Sequence, residues 1–397
     1  MLEFDINSNI MEENQISPIY LDYQASTPLD PRVLDAMLPY ITEKFGNPHS
    51  SEHSFGWISN EGVEKAKIQV ASYINSLEDE IVFTSGSTEA NNLAIIGLGY
   101  AALEKSKRRK ILVSSIEHKC VIGASRFLTR FGFTIEKIPV EPDGLIDIEK
   151  LQSHLTDDVL LVSVMSTNNE IGVNEPVATI GQLCHERGIL FHIDASQGAY
   201  TNLDVLNTNA DFMSLSAHKI YGPKGIGSLY ISQSATLKPI PIINGGGQQN
   251  GYRSGTLPTF LAVGMGEACA LMQEVKYTEA DILKNLREKL CIGLFNIFPN
   301  ARLNGHPKER HPGNLNLTIS GIDSKQFILS LQPHIAFSTG SACTSGIIEP
   351  SHVLKAIGLS TEEADSSFRM SVGRFTTEDE IKNTLILVNN YYKQMSL

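Results

Sequence analysis

The amino-acid sequence predicts an α/β fold in which helices cover both faces of a mainly parallel sheet. Three observations support this fold: short β-rich apolar runs, longer amphipathic segments between them, and polar side chains directly after the runs. Strands that are apolar along most of their length are typical of parallel sheets buried on both faces. The clearest runs are residues 81–84, 111–114, 160–165, 189–193 and 212–216. Residues 225–231 are expected to add a further strand at an edge of the sheet.

The rest of the chain is expected to form an extension and a second, smaller unit. A long stretch from about Phe260 to Phe295 has apolar residues spaced near 3.6 positions, which predicts a helix leaving the large unit. Residues 314–319 alternate in the manner of an antiparallel strand. The expected units are a polar N-terminal extension at 1–17, a large domain at 18–262 and a small α+β domain at 263–397.

Composition and charge exclude several classes of protein. Of the 397 residues, 42% are hydrophobic and 19% are charged, a globular balance that excludes a disordered or fibrous chain. Lys and Arg total 32 against 44 Asp and Glu, so the net charge is −12 and direct nucleic-acid binding is not expected. No apolar stretch approaches the roughly 18 residues of a membrane helix, and no signal-peptide pattern is expected at the N-terminus. Five cysteines without a CxxC pair predict a reducing cytoplasm and no metal site.

Polar residues follow each predicted strand at the edge where a doubly wound sheet binds its ligands. Residues 85–92 are rich in hydroxyl groups and open a helix, whose first N–H groups suit a phosphate. The other four strands are followed by His118, Asn169, Asp194 with Gln197, and Lys219. Taken singly, a strand-end Asp usually caps a helix, and a lone His or Lys usually has a structural or surface role. Their coincidence at one edge is what indicates a functional site.

This set of groups matches the requirements of pyridoxal 5′-phosphate. Lys219 would form a Schiff base with the cofactor aldehyde, and Asp194 would keep the ring nitrogen protonated so that the ring accepts electrons. A nicotinamide site is not indicated, because no G-x-G-x-x-G follows the first strand. A P-loop nucleotide site is not indicated either, because the sequence lacks G-x-x-x-x-G-K-[ST].

Nine ordered motifs resemble those of the cysteine desulfurases of the NifS/IscS-like class, which are fold-type I pyridoxal-phosphate enzymes of the class-V aminotransferase family. The matching stretches, within about residues 18–390, are 20–23 (YLDY), 45–48 (FGNP), 84–89 (TSGSTE), 117–119 (EHK), 168–172 (NNEIG), 192–195 (HIDA), 216–225 (SAHKIYGPKG), 253–256 (RSGT) and 338–343 (STGSAC). The resemblance implies a large cofactor-binding domain with a mainly parallel seven-stranded sheet between helices. It also implies a smaller α+β domain with a mobile catalytic loop at about residues 338–352.

The resemblance further implies a role for each matched residue of the large domain. Lys219 carries the cofactor, Asp194 pairs with the ring nitrogen, and His118 stacks on the ring and takes part in acid–base chemistry. The remaining implied contacts are Ser87, Thr88, Ser216 and His218 with the phosphate, Gln197 and Asn169 with the phenolic oxygen or the substrate, and Arg369 with the substrate carboxylate.

Two more implications concern sulfur transfer and assembly. Thr256 matches a threonine that reaches the phosphate of the other subunit, which implies a homodimer with shared sites. Cys343 lies in a Gly- and Ser-rich segment and matches the catalytic cysteine, whereas the other four cysteines are interpreted as packing residues. In the implied reaction Lys219 removes the Cα proton of L-cysteine and Cys343 attacks the substrate sulfur. The products are L-alanine and a Cys343 persulfide, which supplies a sulfur-acceptor protein.

Departures from the family pattern bear on the pathway. Ala217 stands where a Gly usually precedes the His-Lys pair, and Ser166-Thr167 replaces a more usual His-Val. The sequence stops soon after its last predicted helix, so a tail that docks an iron–sulfur scaffold is not expected. Iron–sulfur cluster assembly, DNA phosphorothioation and tRNA thiolation all stay open as destinations of the sulfur.

Two alternatives to a cysteine desulfurase also stay open from the sequence. A selenocysteine lyase or another pyridoxal-phosphate enzyme would share the same cofactor site, although an aminotransferase has no need of a thiol such as Cys343. A non-catalytic assembly subunit would have no need of the complete set of chemical residues found here.

Overall fold

The computed structural model describes residues 18–339 and 350–395. The strands are β1 (Ile19–Tyr20), β2 (Ile81–Thr84), β3 (Lys110–Ser114), β4 (Thr134–Ile138), β5 (Val159–Met165), β6 (Leu190–Asp194), β7 (Phe212–Ser216), β8 (Gly227–Ile231), β9 (Ala301–Leu303), β10 (Asn314–Ile319), β11 (Ile335–Ala336) and β12 (Ser367–Ser371). The helices are α1 (Pro31–Thr42), α2 (Ser54–Ile74), α3 (Ser87–Asn92), α4 (Leu98–Lys105), α5 (Lys119–Phe127), α6 (Ile148–His154), α7 (Val177–His185), α8 (Val205–Thr208), α9 (Thr259–Ile297), α10 (Ser324–Ser330), α11 (His352–Ala356), α12 (Thr361–Asp365) and α13 (Glu378–Met395). None of the described helices is both long and apolar enough to cross a lipid bilayer.

Seven strands form a central sheet in the order β2-β8-β7-β6-β5-β3-β4. Neighbours from β7 to β4 pair in parallel, and β8 runs antiparallel to both of its neighbours. Alternate residues along a strand enter different apolar cores: Phe83 and Met213 enter one, and Val82 and Phe212 enter the other. The two faces of the sheet are therefore both covered, which confirms the predicted fold class.

Two strands of this sheet differ from the sequence-based prediction. β8 does not lie at an edge, because it returns antiparallel between β7 and β2 and leaves the outer position to β2. β4 is absent from the predicted set. It occupies the opposite edge, and its polar residues Thr134, Glu136 and Lys137 interrupt the apolar run that marks a central strand.

A further apolar core surrounds a small antiparallel sheet in the order β12-β10-β9. β10 pairs antiparallel with both neighbours, as the alternation of its residues predicts. β1 pairs with β11 and places Ile19 and Leu21 in this core. Helix α9 runs without a break through residue 262 and contributes Met265 to the first core and Leu290 to this one. The division of the chain at residues 262 and 263 therefore stays a prediction.

Candidate active site

The carboxyl ends of β3, β5, β6 and β7 meet at one rim of the central sheet. A cavity of about 290 Å³ opens at this rim. Four of the predicted site residues line it, namely His118, Asn169, Lys219 and Arg369. The cavity is therefore built from the rim of the large sheet on one side and from the small sheet, through Arg369 on β12, on the other.

Lys219 ends the short 3-10 turn that follows β7. Its Nζ donates hydrogen bonds to the carbonyl oxygens of Gln24 and Ala25, each at 2.7 Å. Burial and the neighbouring charge of Arg369 lower the pKa of Lys219 to about 8. The amine is therefore held at the cavity and releases its proton more readily than a surface lysine does.

Asp194 is the last residue of β6 and is almost fully buried. Asn91 Nδ2 donates to its Oδ2 at 2.8 Å, and the Ser196 backbone N–H donates to its Oδ1 at 3.0 Å. Gln197, just beyond, donates from Nε2 to the carbonyl of Gln24 at 2.8 Å. The same carbonyl accepts from Lys219, so the Gln24 carbonyl positions two of the predicted site residues at once.

His118 follows β3 and caps the N-terminus of α5. Its Nδ1 accepts a hydrogen bond from the Cys120 backbone N–H at 3.2 Å. Burial lowers the pKa of His118, and the positive charges of Lys219 and Lys119 act in the same direction, against the negative charge of Asp194. The ring is therefore predominantly neutral near pH 7.

The predicted phosphate contacts lie at the start of α3 and after β7. Gly86 has a φ of 146°, a backbone conformation that favours glycine, and it leads into Ser87 and Thr88 at the first turn of α3. A π turn, Leu93–Gly97, continues α3 into α4, so the helix dipole extends beyond the first short segment. Ser216 is buried at the end of β7.

His218, also predicted to contact the phosphate, lies on the same 3-10 turn as Lys219. Its Nδ1 lies 3.2 Å from Ser26 Oγ. Burial, helped by the charges of Lys219 and Lys224, lowers the pKa of His218 to about 4. His218 would therefore act as a neutral hydrogen-bonding group rather than as a cation.

Arg369 projects from β12 into the cavity and is almost fully buried. Its Nη1 donates to the Asn169 carbonyl at 2.7 Å, and its Nη2 forms an ion pair with Asp22 at 2.5 Å. Its Nε is buried without a hydrogen-bond acceptor among the described residues. A planar cation with one unsatisfied donor is suited to a carboxylate ligand.

The two remaining predicted site residues are Thr256 and Cys343. Thr256 is exposed on its own protomer, in a loop where Gly255 has a φ of 112°, and it is not among the described residues that line the cavity. Cys343 lies outside the described residues, as do most of the loop predicted at 338–352 and the extension at 1–17. Ser338 and His352, described on either side of Cys343, both line the cavity.

Sequence reasoning gave no role to two buried carboxyl groups of the cavity. Glu170 accepts a hydrogen bond from Ser351 Oγ at 2.5 Å, and burial raises its pKa to about 7. Glu117 accepts from the Met165 backbone N–H, and burial, with the nearby charge of Asp194, raises its pKa well above the usual range. Glu117 lies in the motif at 117–119 and Glu170 in the motif at 168–172. Nothing in the sequence, however, indicated a chemical function for either carboxyl group.

The residues gathered here fit pyridoxal phosphate by the chemistry of their donors. An amine that readily loses its proton, a buried carboxylate and a neutral imidazole meet the aldehyde, ring nitrogen and ring face of that cofactor. The unsatisfied Nε of Arg369 supplies a place for the carboxylate of an amino-acid substrate. Among the described residues, no three His, Cys, Asp or Glu side chains converge in a way that could hold a metal ion.

Comparisons with known proteins identify the family of the chain. The family described as aminotransferase class-V matches residues 19–384. Cysteine desulfurase IscS of Rickettsia felis is 47% identical over 372 residues, which are 94% of this chain and 90% of that protein. A solved NifS-like protein has a TM-score of 0.88 at 31% identity, covering 95% of this chain and 100% of that one. SspA in complex with cysteine has a TM-score of 0.80 at 33% identity, covering 90% and 100%.

The mainly parallel seven-stranded sheet between helices, together with these matches, gives the fold class as that of the fold-type I pyridoxal-phosphate enzymes. The match to the family extends over nearly the whole chain. The chain belongs to the class-V aminotransferase family and, within it, to the cysteine desulfurases of the NifS/IscS-like class.

Proposed function

We propose that this cysteine desulfurase converts L-cysteine to L-alanine and passes the sulfur, as a persulfide on Cys343, to an acceptor protein. The observation that carries the proposal is that the Lys219 amine and the Arg369 guanidinium line the same cavity. The guanidinium can hold the substrate carboxylate while the amine reaches the adjacent Cα. The acceptor would serve iron–sulfur cluster assembly or the thio-modification of DNA or tRNA, in the cytoplasm, where thiols stay reduced.

Pyridoxal 5′-phosphate would bind along the rim of the sheet. Lys219 would hold its aldehyde carbon, Asp194 its ring nitrogen and His118 one face of its ring. The phosphate would be held by Ser87, Thr88, Ser216 and His218. When bound, the cofactor supplies an electron sink that makes the Cα proton of an amino acid acidic. The proton transfers, the orientation of the substrate and the acceptance of sulfur are then tasks of the chain itself.

Lys219 is the base that we assign to the Cα proton. With a pKa of about 8, roughly a tenth of such an amine is neutral at pH 7 and half is neutral at pH 8. The neutral Nζ can accept the proton, and the carbonyl oxygens of Gln24 and Ala25 orient the ammonium that results. The two carbonyls therefore keep the transferred proton at the cavity until it is returned.

Arg369 is the residue that we assign to the substrate carboxylate. Its Nε and Nη2 lie on one edge of the guanidinium, and on that edge only Nη2 is occupied, by a single oxygen of Asp22. A carboxylate that takes both positions gains two parallel hydrogen bonds, the strongest arrangement for this pair. We therefore expect the substrate to replace Asp22 while the carbonyl of Asn169 keeps hold of Nη1.

The sulfur-accepting step is assigned to Cys343. Its thiolate would form a bond to the substrate Sγ while the Cβ–Sγ bond breaks and leaves its electron pair on Cβ, which takes up a proton to give alanine. The support is positional, because Ser338 and His352 bring the described chain to the cavity on both sides of Cys343.

A second copy of the chain would complete the site. Apolar side chains of α1, α2 and the segment between them are 45–67% exposed: Leu34, Leu38, Ile41, Phe45, Phe55 and Trp57. Three of them follow one another at helical spacing on α1, and exposed apolar patches of this kind mark interaction surfaces. We propose that a second copy covers this face in a homodimer and that the exposed Thr256 serves the partner's site.

The decisive experiment measures alanine and sulfide from the purified protein, L-cysteine and a thiol reductant, and measures protein-bound persulfide in a parallel reaction without the reductant. Cys343→Ser keeps the size of the side chain but removes the nucleophilic sulfur, so sulfide and alanine release should fall by orders of magnitude and no persulfide should appear by mass spectrometry. The buried Cys269→Ser is the matched control and should keep the persulfide. Persulfide at the wild-type rate in the Cys343→Ser protein would show that another cysteine accepts the sulfur.

The same assay distinguishes a cysteine desulfurase from a selenocysteine lyase. L-selenocysteine and L-cysteine are offered at equal concentration, and selenide and sulfide are measured together with alanine. A cysteine desulfurase turns over L-cysteine and loses that turnover in the Cys343→Ser protein. Release of selenide alone, with no sulfide, would assign the protein as a selenocysteine lyase instead.

A further inference from the structure

Cys120 packs against the apolar core that contains Val82 and Phe212, as the sequence suggested, but its thiol also has polar neighbours. Cys184 and Cys269 are buried in the apolar core, as expected, but Cys120 is only half-buried and lies two residues beyond His118. Its Sγ is 2.9 Å from His118 Nδ1 and 3.1 Å from Asn91 Nδ2. Besides this packing, the thiol therefore makes polar contacts inside the proposed cofactor site.

These contacts form a continuous path from Asp194 to His118. Asn91 Nδ2 donates to Asp194 Oδ2 at 2.8 Å and also approaches Cys120 Sγ, so its two hydrogens are directed to two acceptors. The path thus links the carboxylate expected at the cofactor ring nitrogen to the imidazole expected at the ring face. We call the path the Asp194–His118 relay, with Asn91 and Cys120 as its interior members.

The relay has one consistent direction of donation. A carboxylate can only accept, so Asn91 must donate to Asp194, and its second hydrogen is directed at the sulfur of Cys120. Burial and the negative charge of Asp194 raise the pKa of Cys120 to about 12, so the thiol keeps its proton. The S–H can then donate onward to His118 Nδ1, which also accepts from the Cys120 backbone N–H.

We propose that Cys120 is a positioning residue that fixes His118 as the neutral tautomer with its proton on Nε2. The two donors of Cys120 occupy Nδ1, and an Nδ1 that accepts hydrogen bonds leaves the ring proton on Nε2. The proposal rests on the proposed function, because it makes His118 a hydrogen-bond donor through Nε2 at the cavity and not a base through that atom.

Other groups around His118 set the pH range of this arrangement. The negative charge of Asp194 favours the imidazolium, whereas burial and the positive charges of Lys219 and Lys119 oppose it. His352, at the start of α11, also interacts with His118 across the cavity. The thiol acts in the same sense as burial, because a donor to Nδ1 stabilises the neutral ring only.

The test uses the full-length protein labelled with ¹⁵N-histidine, with and without pyridoxal phosphate. Long-range ¹H–¹⁵N correlation spectra report the tautomer and the pKa of each imidazole, and His118→Gln assigns the His118 signals. The wild-type protein should show the Nε2–H tautomer. Cys120→Ala removes the side-chain donor and should raise the pKa of His118 by roughly 0.5–1 unit, the size expected for one lost hydrogen bond. Cys120→Ser keeps a side-chain donor and should bring the pKa of His118 most of the way back to the wild-type value. Cys291→Ala is the matched control.

Activity supplies a second readout that a purely structural role would not move. The acid limb of the pH profile for cysteine turnover should shift in Cys120→Ala by the same amount as the pKa of His118, and not in Cys291→Ala. Two results would overturn the proposal: a wild-type His118 that carries its proton on Nδ1, or a pKa of His118 that is unchanged in Cys120→Ala. A wild-type protein that makes no alanine from cysteine would instead refute the proposed function, since the spectra are independent of turnover.

Discussion

The two walls of the cavity are built in different ways. On the side of the large sheet, His118, Asn169 and Lys219 follow strands and Asp194 is the last residue of β6. The strands concerned, β3, β5, β6 and β7, are consecutive neighbours in the sheet. Backbone hydrogen bonds between strands therefore bring these side chains together. On the opposite wall, Arg369 and residues 351–352 are joined to the first wall by side chains.

This difference shows which part of the site depends on the strand order of the sheet and which part depends on individual side-chain hydrogen bonds. The sheet wall would keep its layout after most single side-chain changes, because adjacent parallel strands fix the positions of their ends. The opposite wall depends on a few long-range bonds, such as Ser351 to Glu170 and His352 Nε2 to the Glu117 carbonyl at 2.9 Å. Substitutions on the two walls should therefore separate chemistry from substrate positioning.

The largest effect is expected on the sheet wall, at Lys219. Lys219→Ala removes the amine assigned to the cofactor aldehyde and to the Cα proton, so alanine production should fall below detection while the fold persists. The measurement is alanine formed from L-cysteine, with circular dichroism to confirm folding. Lys224→Ala, an exposed lysine five residues later, is the control and should keep its activity. Substantial alanine from the Lys219→Ala protein would remove Lys219 from the mechanism.

The next largest effect is expected on the opposite wall. Arg369→Ala leaves the substrate carboxylate unpaired in a buried site, which costs about 2–5 kcal/mol, or roughly 30- to 4,000-fold in KM. The visible spectrum of the bound cofactor should change little, because the cofactor contacts lie on the sheet wall. Steady-state kinetics and absorbance spectra check both points, with the exposed Arg302→Ala as control. An unchanged KM would mean that another group holds the carboxylate.

A smaller effect, on stability, is expected where the two walls join. Burial raises the pKa of Glu170 to about 7 from an ordinary value near 4.5, so the folded state binds this proton more tightly than the unfolded state. Through this group the free energy of unfolding falls as pH rises from about 4.5 to 7, by an amount of the order of 3 kcal/mol.

Glu170→Gln removes this titration. Urea unfolding at pH 5, 6 and 7.5 should show the variant gaining stability relative to the wild type as the pH rises. Glu309→Gln, an exposed carboxyl group, is the control and should follow the wild type. Parallel curves for the wild type and Glu170→Gln would show that Glu170 titrates normally.

The smallest effect concerns the part of the site that we assign to the partner subunit. Thr256→Ala should lose one charge-assisted hydrogen bond to the cofactor phosphate, worth about 1.5 kcal/mol, and weaken cofactor binding roughly tenfold. Cofactor titration of the purified variant measures the change, with the exposed Thr129→Ala as control.

A mixed dimer decides which subunit Thr256 serves. A Lys219→Ala subunit paired with a Thr256→Ala subunit retains one site with both residues intact if Thr256 acts across the interface. Its active site should then bind the cofactor with wild-type affinity. Affinity as weak as that of the Thr256→Ala homodimer would place Thr256 in its own subunit's site.

The sequence predicted the sheet wall because that wall depends on local patterns. Apolar runs located β3, β5, β6 and β7, and polar groups three or four residues beyond the ends of β3, β5 and β7, namely His118, Asn169 and Lys219, line the cavity. The polar edge strand β4 escaped prediction, because half-exposed strands lack such runs. The assignment of Arg369 came from motif resemblance alone, since nothing in its local pattern distinguishes it.

The contacts between the two walls could not be predicted from the sequence, for a physical reason. Asp22 and Arg369 are 347 positions apart, and Ser351 and Glu170 are 181 positions apart, so only the folded chain brings them together. The same holds for the carbonyl of Gln24 that accepts from Lys219 across 195 positions. Cys120 lies close to His118 in sequence, but the direction of its thiol follows from the geometry of α5 and Asn91.

Helix α9 has a consequence for the thermodynamics of the whole chain. Its first half packs Met265, Cys269 and Met272 into the core of the large sheet, and its second half packs Leu286 and Leu290 into the core of the small sheet. With 39 residues, it is about 58 Å long and hydrogen-bonded throughout. If one core unfolded alone, the apolar side chains of its half of α9 would be exposed to water while the other half stayed packed in the remaining core. We therefore expect the two cores to unfold together, in one cooperative transition.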